Sequence, residues 1–77
     1  MRTLVGKIVC ERVNVGSKSE ADGYFMVMDE GSRQQITVKG EPYFYQPTLR
    51  GLVGKRCEAS GEYFWGKFVA ETIKEVR

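Results

Sequence analysis

The 77-residue chain has no histidine, two cysteines, two prolines and a single tryptophan. Without histidine, neither a Ser-His-Asp nor a Cys-His catalytic site can be assembled within it, and the side chain that titrates nearest neutral pH is missing. Cys10 and Cys57 lie far apart in the sequence, form no CxxC pair, and are too few to hold zinc or to frame a disulfide scaffold; they read as buried free thiols. No GxxxxGK[ST] or GxGxxG phosphate loop is present. Long apolar runs are missing too: the start, Met1 to Lys7, carries charge at Arg2 and Lys7, so it reads neither as a signal peptide nor as a membrane anchor. The carboxylates at Asp29-Glu30, Glu58 with Glu62, and Glu71 with Glu75 sit where plain solubilising charge is expected. These absences predict a cytoplasmic, non-enzymatic protein without metal, cofactor or membrane contact.

What is present suits one small folded domain, residues 1–77. Its 42% hydrophobic and 29% charged residues are close to the globular average, which excludes a disordered or fibrous chain. Twelve Lys and Arg against ten Asp and Glu leave a charge of +2, spread without blocks, so any basic surface must be made by folding.

Nine glycines divide the chain into pieces of strand length rich in Val, Ile, Tyr, Phe and Thr. Thr3 to Val15 reads as a long strand bent at Gly6, with Leu4, Gly6, Ile8 and Cys10 on one side. A polar loop from Asn14 to Gly23 follows. Tyr24 to Met28 is a second strand, Asp29-Glu30-Gly31-Ser32 a hairpin turn, and Gln34 to Lys39 a third strand. Pro47 with Leu49, Leu52 and Val53 predicts a helix of at most two turns, ended near Gly54. Lys55 to Phe64 and Lys67 to about Val76 form a second hairpin around Trp65-Gly66, with a bulge in the last strand because Ile73 and not Thr72 continues the apolar set.

Five strands with a short helix between the third and fourth is the order of a small OB-like Greek-key barrel. Phe25-Met26-Val27-Met28-Asp29-Glu30-Gly31 with Gln35-Ile36-Thr37-Val38 resembles the strand 2–3 hairpin of OB-fold domains of the anticodon-binding type. Leu52 to Gly61 resembles their approach to strand 4, and Phe68 to Ile73 the end of their strand 5. The resemblance implies an all-β barrel and nucleic-acid binding as its commonest role; OB-folds also serve as protein-contact modules.

Matching the hairpin by parity turns Phe25, Val27, Ile36 and Val38 inward and leaves Tyr24, Met26, Met28, Gln35, Thr37 and Lys39 outside. On that reading Tyr24 and the methionines form an apolar patch beside Arg33, Gln35 and Lys39. Trp65 beside Lys67 at the strand 4–5 turn supplies a second aromatic and cation. Lys18 in the first loop, with Arg12 before it, is a lesser candidate for phosphate, since Glu20 and Asp22 offset its charge and the segment reads first as a solvated loop. Tyr43, Phe44 and Tyr45 read as plugs of the barrel's end, with room for one of the three to stay free. The expected ligand is single-stranded DNA or RNA, stacked on Tyr24 and Trp65, with Arg33, Lys39 and Lys67 meeting phosphates and Gln35 or Thr37 contacting bases or sugars. The rival expectation is a protein-interaction or assembly subunit that pairs with a protein partner, or with itself as a homodimer, through Met26 and Met28. Strands 1 and 4 are neighbours in such a barrel, which brings Cys10 and Cys57 within reach of one another.

Overall fold

Five strands and one helix follow in the order β1 (Arg2–Val13), β2 (Ala21–Met28), β3 (Arg33–Val38), α1 (Pro47–Arg50), β4 (Arg56–Phe64) and β5 (Lys67–Glu75). The computed structural model describes residues 1–13, 16, 21–42 and 45–76, so Lys18, Tyr43 and Phe44 lie outside the described residues. The all-β class and the helix between the third and fourth strands are as the sequence implied.

β1 is long because it serves two partners. Arg2 to Lys7 pair antiparallel with β4, and Gly6 to Val13 pair antiparallel with β2. Gly6 belongs to both ladders, opposite Met28 and Cys57, and a Cβ there would stand 2.5 Å from the Val27 carbonyl oxygen. A side chain has no room where the bent strand crosses from one partner to the other, which is why the bend falls on glycine. β2 pairs with β3, β3 runs parallel to β5, and β5 pairs antiparallel with β4, so the order β1-β2-β3-β5-β4 returns to β1 as a closed barrel.

The interior is filled by Ile8, Met26, Ile36, Leu49, Cys57, Ala59, Phe68 and Ala70, with Tyr24 at its margin. Small residues on β4 and β5 make room for the Phe68 ring. At Gly61 a Cβ would meet the Val69 carbonyl oxygen at 1.9 Å, so this crossing too requires glycine. The predicted bulge is here: Ser60 faces Thr72 while Gly61 faces Ala70, which leaves Glu71 unmatched and sets Ile73 opposite Ala59 on the inner face.

The helix is a single turn. Pro47 supplies its first φ, Leu49 is driven into the core, and Leu52 packs at the core's edge. Val53, expected on the same face, is exposed because helical geometry stops at Gly51 and residues 51–54 form turns. Gly54 then adopts a φ of 86° and donates to the Ile8 carbonyl at 2.7 Å, while Ile8 donates to the Lys55 carbonyl at 3.0 Å. These two bonds extend the β1–β4 ladder and dock the helix segment on the barrel. Gln46, before the helix, is 3% exposed yet fully engaged. Its Oε1 accepts from the Val38 amide at 2.7 Å, and its Nε2 donates to the Pro42 carbonyl at 2.7 Å and the Glu41 carbonyl at 3.2 Å. One side chain therefore satisfies the end of β3 and the turn that leaves it.

Candidate functional site

The β2–β3 hairpin decides what the barrel shows to solvent. Its loop has three residues, Asp29, Glu30 and Gly31: the Met28 amide donates to the Ser32 carbonyl at 2.8 Å, and the Gly31 amide to the Met28 carbonyl at 2.9 Å. Gly31 takes the left-handed conformation, φ 99°, that a three-residue loop demands. Ser32 Oγ donates to Glu30, and this bond, with one to the backbone, holds the Glu30 carboxyl below the usual carboxylate range.

A four-residue turn would place Val27 and Ile36 on one face; the three-residue turn places Met26 opposite Gln34 and Phe25 opposite Gln35. A shift of one residue inverts every side chain of a strand. Met26 is therefore fully buried, Tyr24 only 8% exposed, and Met28 half-buried against the core, so none of the three is an outward contact. Phe25 and Val27, expected inside, are half-buried on the outer face. The assembly role argued from a Met26 and Met28 surface loses that surface. On β3 the expected parity stands: Ile36 is buried, and Arg33, Gln35, Thr37 and Lys39 face out.

The outer face of β1, β2 and β3 thus carries Lys7, Val9 and Glu11, then Phe25 and Val27, then Arg33, Gln35 and Thr37. The Arg33 guanidinium carbon lies 4.8 Å from the centre of the Phe25 ring, and the same guanidinium forms an ion pair with Glu11. Three strands so contribute one layered cluster: ring below, guanidinium above, carboxylate at the side. The alternation of β1, with Ile8 inward and Lys7 and Val9 outward, carried the signal for this face. Lys7 pairs with Val27 and Val9 with Phe25, so the two strands' outward residues must coincide.

The β4–β5 turn stands next to this face. Trp65 is 86% exposed, with a φ of 53° that few non-glycine residues adopt, and Phe64 meets it edge to face at 5.9 Å between centroids. Gln34 Nε2 donates to the Gly66 carbonyl at 2.9 Å, tying the turn to β3 one residue from Arg33. Lys67 opens β5, half-buried, and Lys39 lies past the end of β3 in an ion pair of 3.5 Å with Glu71. Tyr45 is exposed and not a plug.

The thiols are not partners. β1 and β4 are neighbours, but Cys57 faces Gly6, and Cys10 lies four residues further along β1, about 13 Å at the usual strand rise. Cys10 is exposed and Cys57 buried, and burial pushes the Cys57 thiol pKa up. Among the described residues no group of three His, Cys, Asp or Glu is placed to hold a metal ion, and no helix is long and apolar enough to cross a membrane. No family model, curated protein or solved structure matches the chain.

Proposed function

We propose that this chain is an OB-type barrel that binds single-stranded nucleic acid in the cytoplasm and carries out no chemistry on it. Strand order 1-2-3-5-4 with β3 parallel to β5 and a helix between β3 and β4 supports the fold reading. The observation that carries the function is the exposed Trp65 on a turn tied to β3, beside an outer face where Arg33 lies over Phe25.

Bases stack on Trp65 and on the outer plane of the Arg33 guanidinium, since a planar cation backed by a ring serves a base as an aromatic platform does. Gln35 and Thr37, half-buried and further along β3 from Arg33 and the Trp65 turn, offer hydrogen bonds to base edges or sugars. Glu11 balances the charge of Arg33 in a close ion pair, whereas Lys39 meets Glu71 only at 3.5 Å, so phosphate attraction falls to lysines 7, 39 and 67. With three lysines the slope of log affinity against log salt is about 2 in magnitude, at roughly 0.7 per phosphate neutralised on a single strand.

The test is a titration of short labelled DNA and RNA oligonucleotides at low salt, followed by fluorescence of the single tryptophan. Binding in the micromolar range with quenching of Trp65, weakened by Trp65→Ala and by Phe25→Ala, is the expected result. An absence of binding at high micromolar concentration, or affinity indifferent to both substitutions, overturns the reading.

A further inference from the structure

The turn that carries Trp65 is held in a conformation that its own residue disfavours. Phe64 faces Lys67, so Trp65 and Gly66 are the whole loop, with φ of 53° and 79°. Positive φ at both central residues is the pattern of a type I′ turn, which suits Asn-Gly and not Trp-Gly. Trp65 is the one non-glycine residue at positive φ among the described residues, and with its indole 86% exposed little burial offsets the steric cost. Such strain persists where the surrounding structure over-determines it.

Here the support comes from Gln34. The β3–β5 ladder begins at Ile36 opposite Phe68, so Gly66 lies beyond it. Gln34, two residues before Ile36, extends the tie with its side chain: Nε2 donates to the Gly66 carbonyl at 2.9 Å and to the Gln35 carbonyl at 3.0 Å. Both partners are acceptors, which uses the two hydrogens of the amide nitrogen and fixes which way round the amide lies. Gln34 is half-buried opposite the fully buried Met26, and it is the residue next to Arg33. One amide thus links the turn of Trp65 to the strand of Arg33.

We propose that Gln34 is the positioning residue that makes Trp65 and Arg33 a single site for one strand of nucleic acid. Its amide fixes the strained turn relative to the guanidinium, so a strand that engages one platform meets the other already in place. The inference rests on the reading of Trp65 and Arg33 as stacking platforms. Its physical content is preorganisation. A tip freed of the amide samples other orientations and must be ordered again by a ligand that spans both platforms, whereas a single nucleotide stacked on the indole needs no fixed distance to Arg33.

The experiment compares the wild type with Gln34→Glu and Gln34→Leu in the intact chain. Gln34→Glu keeps the shape but sets a carboxylate against two carbonyl oxygens; Gln34→Leu removes the polar group. In both, the heteronuclear NOE of the Trp65 indole N–H should fall while the amides of the core stay in place. Affinity for an octamer of deoxythymidylate should drop about two- to tenfold, the effect of ordering one freed side chain, and affinity for thymidine monophosphate, read from the indole shift, should not change. In Gln34→Glu the octamer affinity should return toward that of the wild type as pH falls through about 4.3, where the carboxyl gains a proton to donate. Gln34→Leu should show no such return.

A tip as ordered in both variants as in the wild type overturns the proposal. So does octamer binding that ignores Gln34 while Trp65→Ala still weakens it, or monophosphate binding that weakens equally; the nucleic-acid reading survives all three. If the wild type binds no octamer, that reading fails and the proposal fails with it.

Discussion

Arg33 lies over Phe25, its guanidinium carbon 4.8 Å from the ring centre, and Glu11 holds it there from β1, on the far side of β2. Arg33 and Phe25 belong to two strands of one hairpin, and Glu11 reaches them from β1 along the outer face. The cluster explains how a barrel of small net charge can present a cation as a flat surface and not as a mobile charge.

From this arrangement Glu11→Gln is expected to weaken oligonucleotide binding about two- to fivefold, the scale of one exposed cation–π contact. Simple electrostatics predicts the opposite, since the substitution removes a negative charge from a surface that meets a polyanion. Arg33→Gln should lower affinity with little change in the salt slope, whereas a phosphate-binding lysine such as Lys7→Gln should reduce the slope by roughly 0.7. Affinity measured at four or five salt concentrations separates the two roles.

Trp65→Ala should cost about 1–3 kcal/mol of binding free energy, the usual contribution of one stacked base, while leaving the unfolding midpoint in urea in place because the indole is exposed. Met26→Lys behaves in the opposite way. It sets an unpaired charge inside the barrel, so the expected outcome is loss of the folded state, read by circular dichroism, and not loss of a surface contact.

Gly6→Ala should destabilise by about 1–3 kcal/mol, because a Cβ there meets the Val27 carbonyl, backbone that cannot rotate away, as well as the buried Met26 side chain. Gly61→Ala meets a closer backbone oxygen, that of Val69, and should be the more damaging of the two. A glycine with open space, such as Gly40, does not share this cost of contact. Urea denaturation of the variants ranks them directly.

Gln46→Leu keeps the volume but leaves the Val38 amide without its acceptor, while the Pro42 carbonyl loses one donor and keeps the Tyr45 amide. A buried polar group deprived of its partner costs about 1–3 kcal/mol, and hydrogen exchange at the Val38 amide should rise accordingly.

Cys10 should react with a thiol reagent within minutes and Cys57 only as the chain unfolds, since one is exposed and the other buried. The pKa of Cys57 is raised in the folded state by burial first and by the nearby Glu75 charge second. The stability held by its neutral thiol is therefore fully present below the unfolded thiol pKa, about 8.5, and is lost as pH rises beyond it. The urea midpoint should fall through that range, and less steeply in Cys57→Ala.

Much of the architecture was legible along the chain. Glycine spacing and β-branched runs marked five strands, Pro47 and Leu49 marked the helix, and Ile73 in place of Thr72 disclosed the bulge that Gly61 accommodates. Strand 3 was legible as well, because Ile36 between Gln35 and Thr37 leaves only one apolar face. β2 was not: Tyr24 to Met28 is apolar on both faces, so alternation carries no information about which face is inside. That choice rested on whether the turn holds three residues or four, and the hydrogen bonds of Met28 with Ser32 and Gly31 settle it at three.

The class of fold, the positions of its bends and the lack of histidine-based chemistry follow from local composition and steric demands. Which aromatic residues reach the surface depends on how the strands pair in three dimensions. Tyr24 and Met26 went to the core and Phe25 and Trp65 to the outside, because facing in a closed barrel is set by the pairing of three strands at once and not by any one of them. The same closure separated Cys10 from Cys57, since neighbouring strands share a ladder but not a position along it.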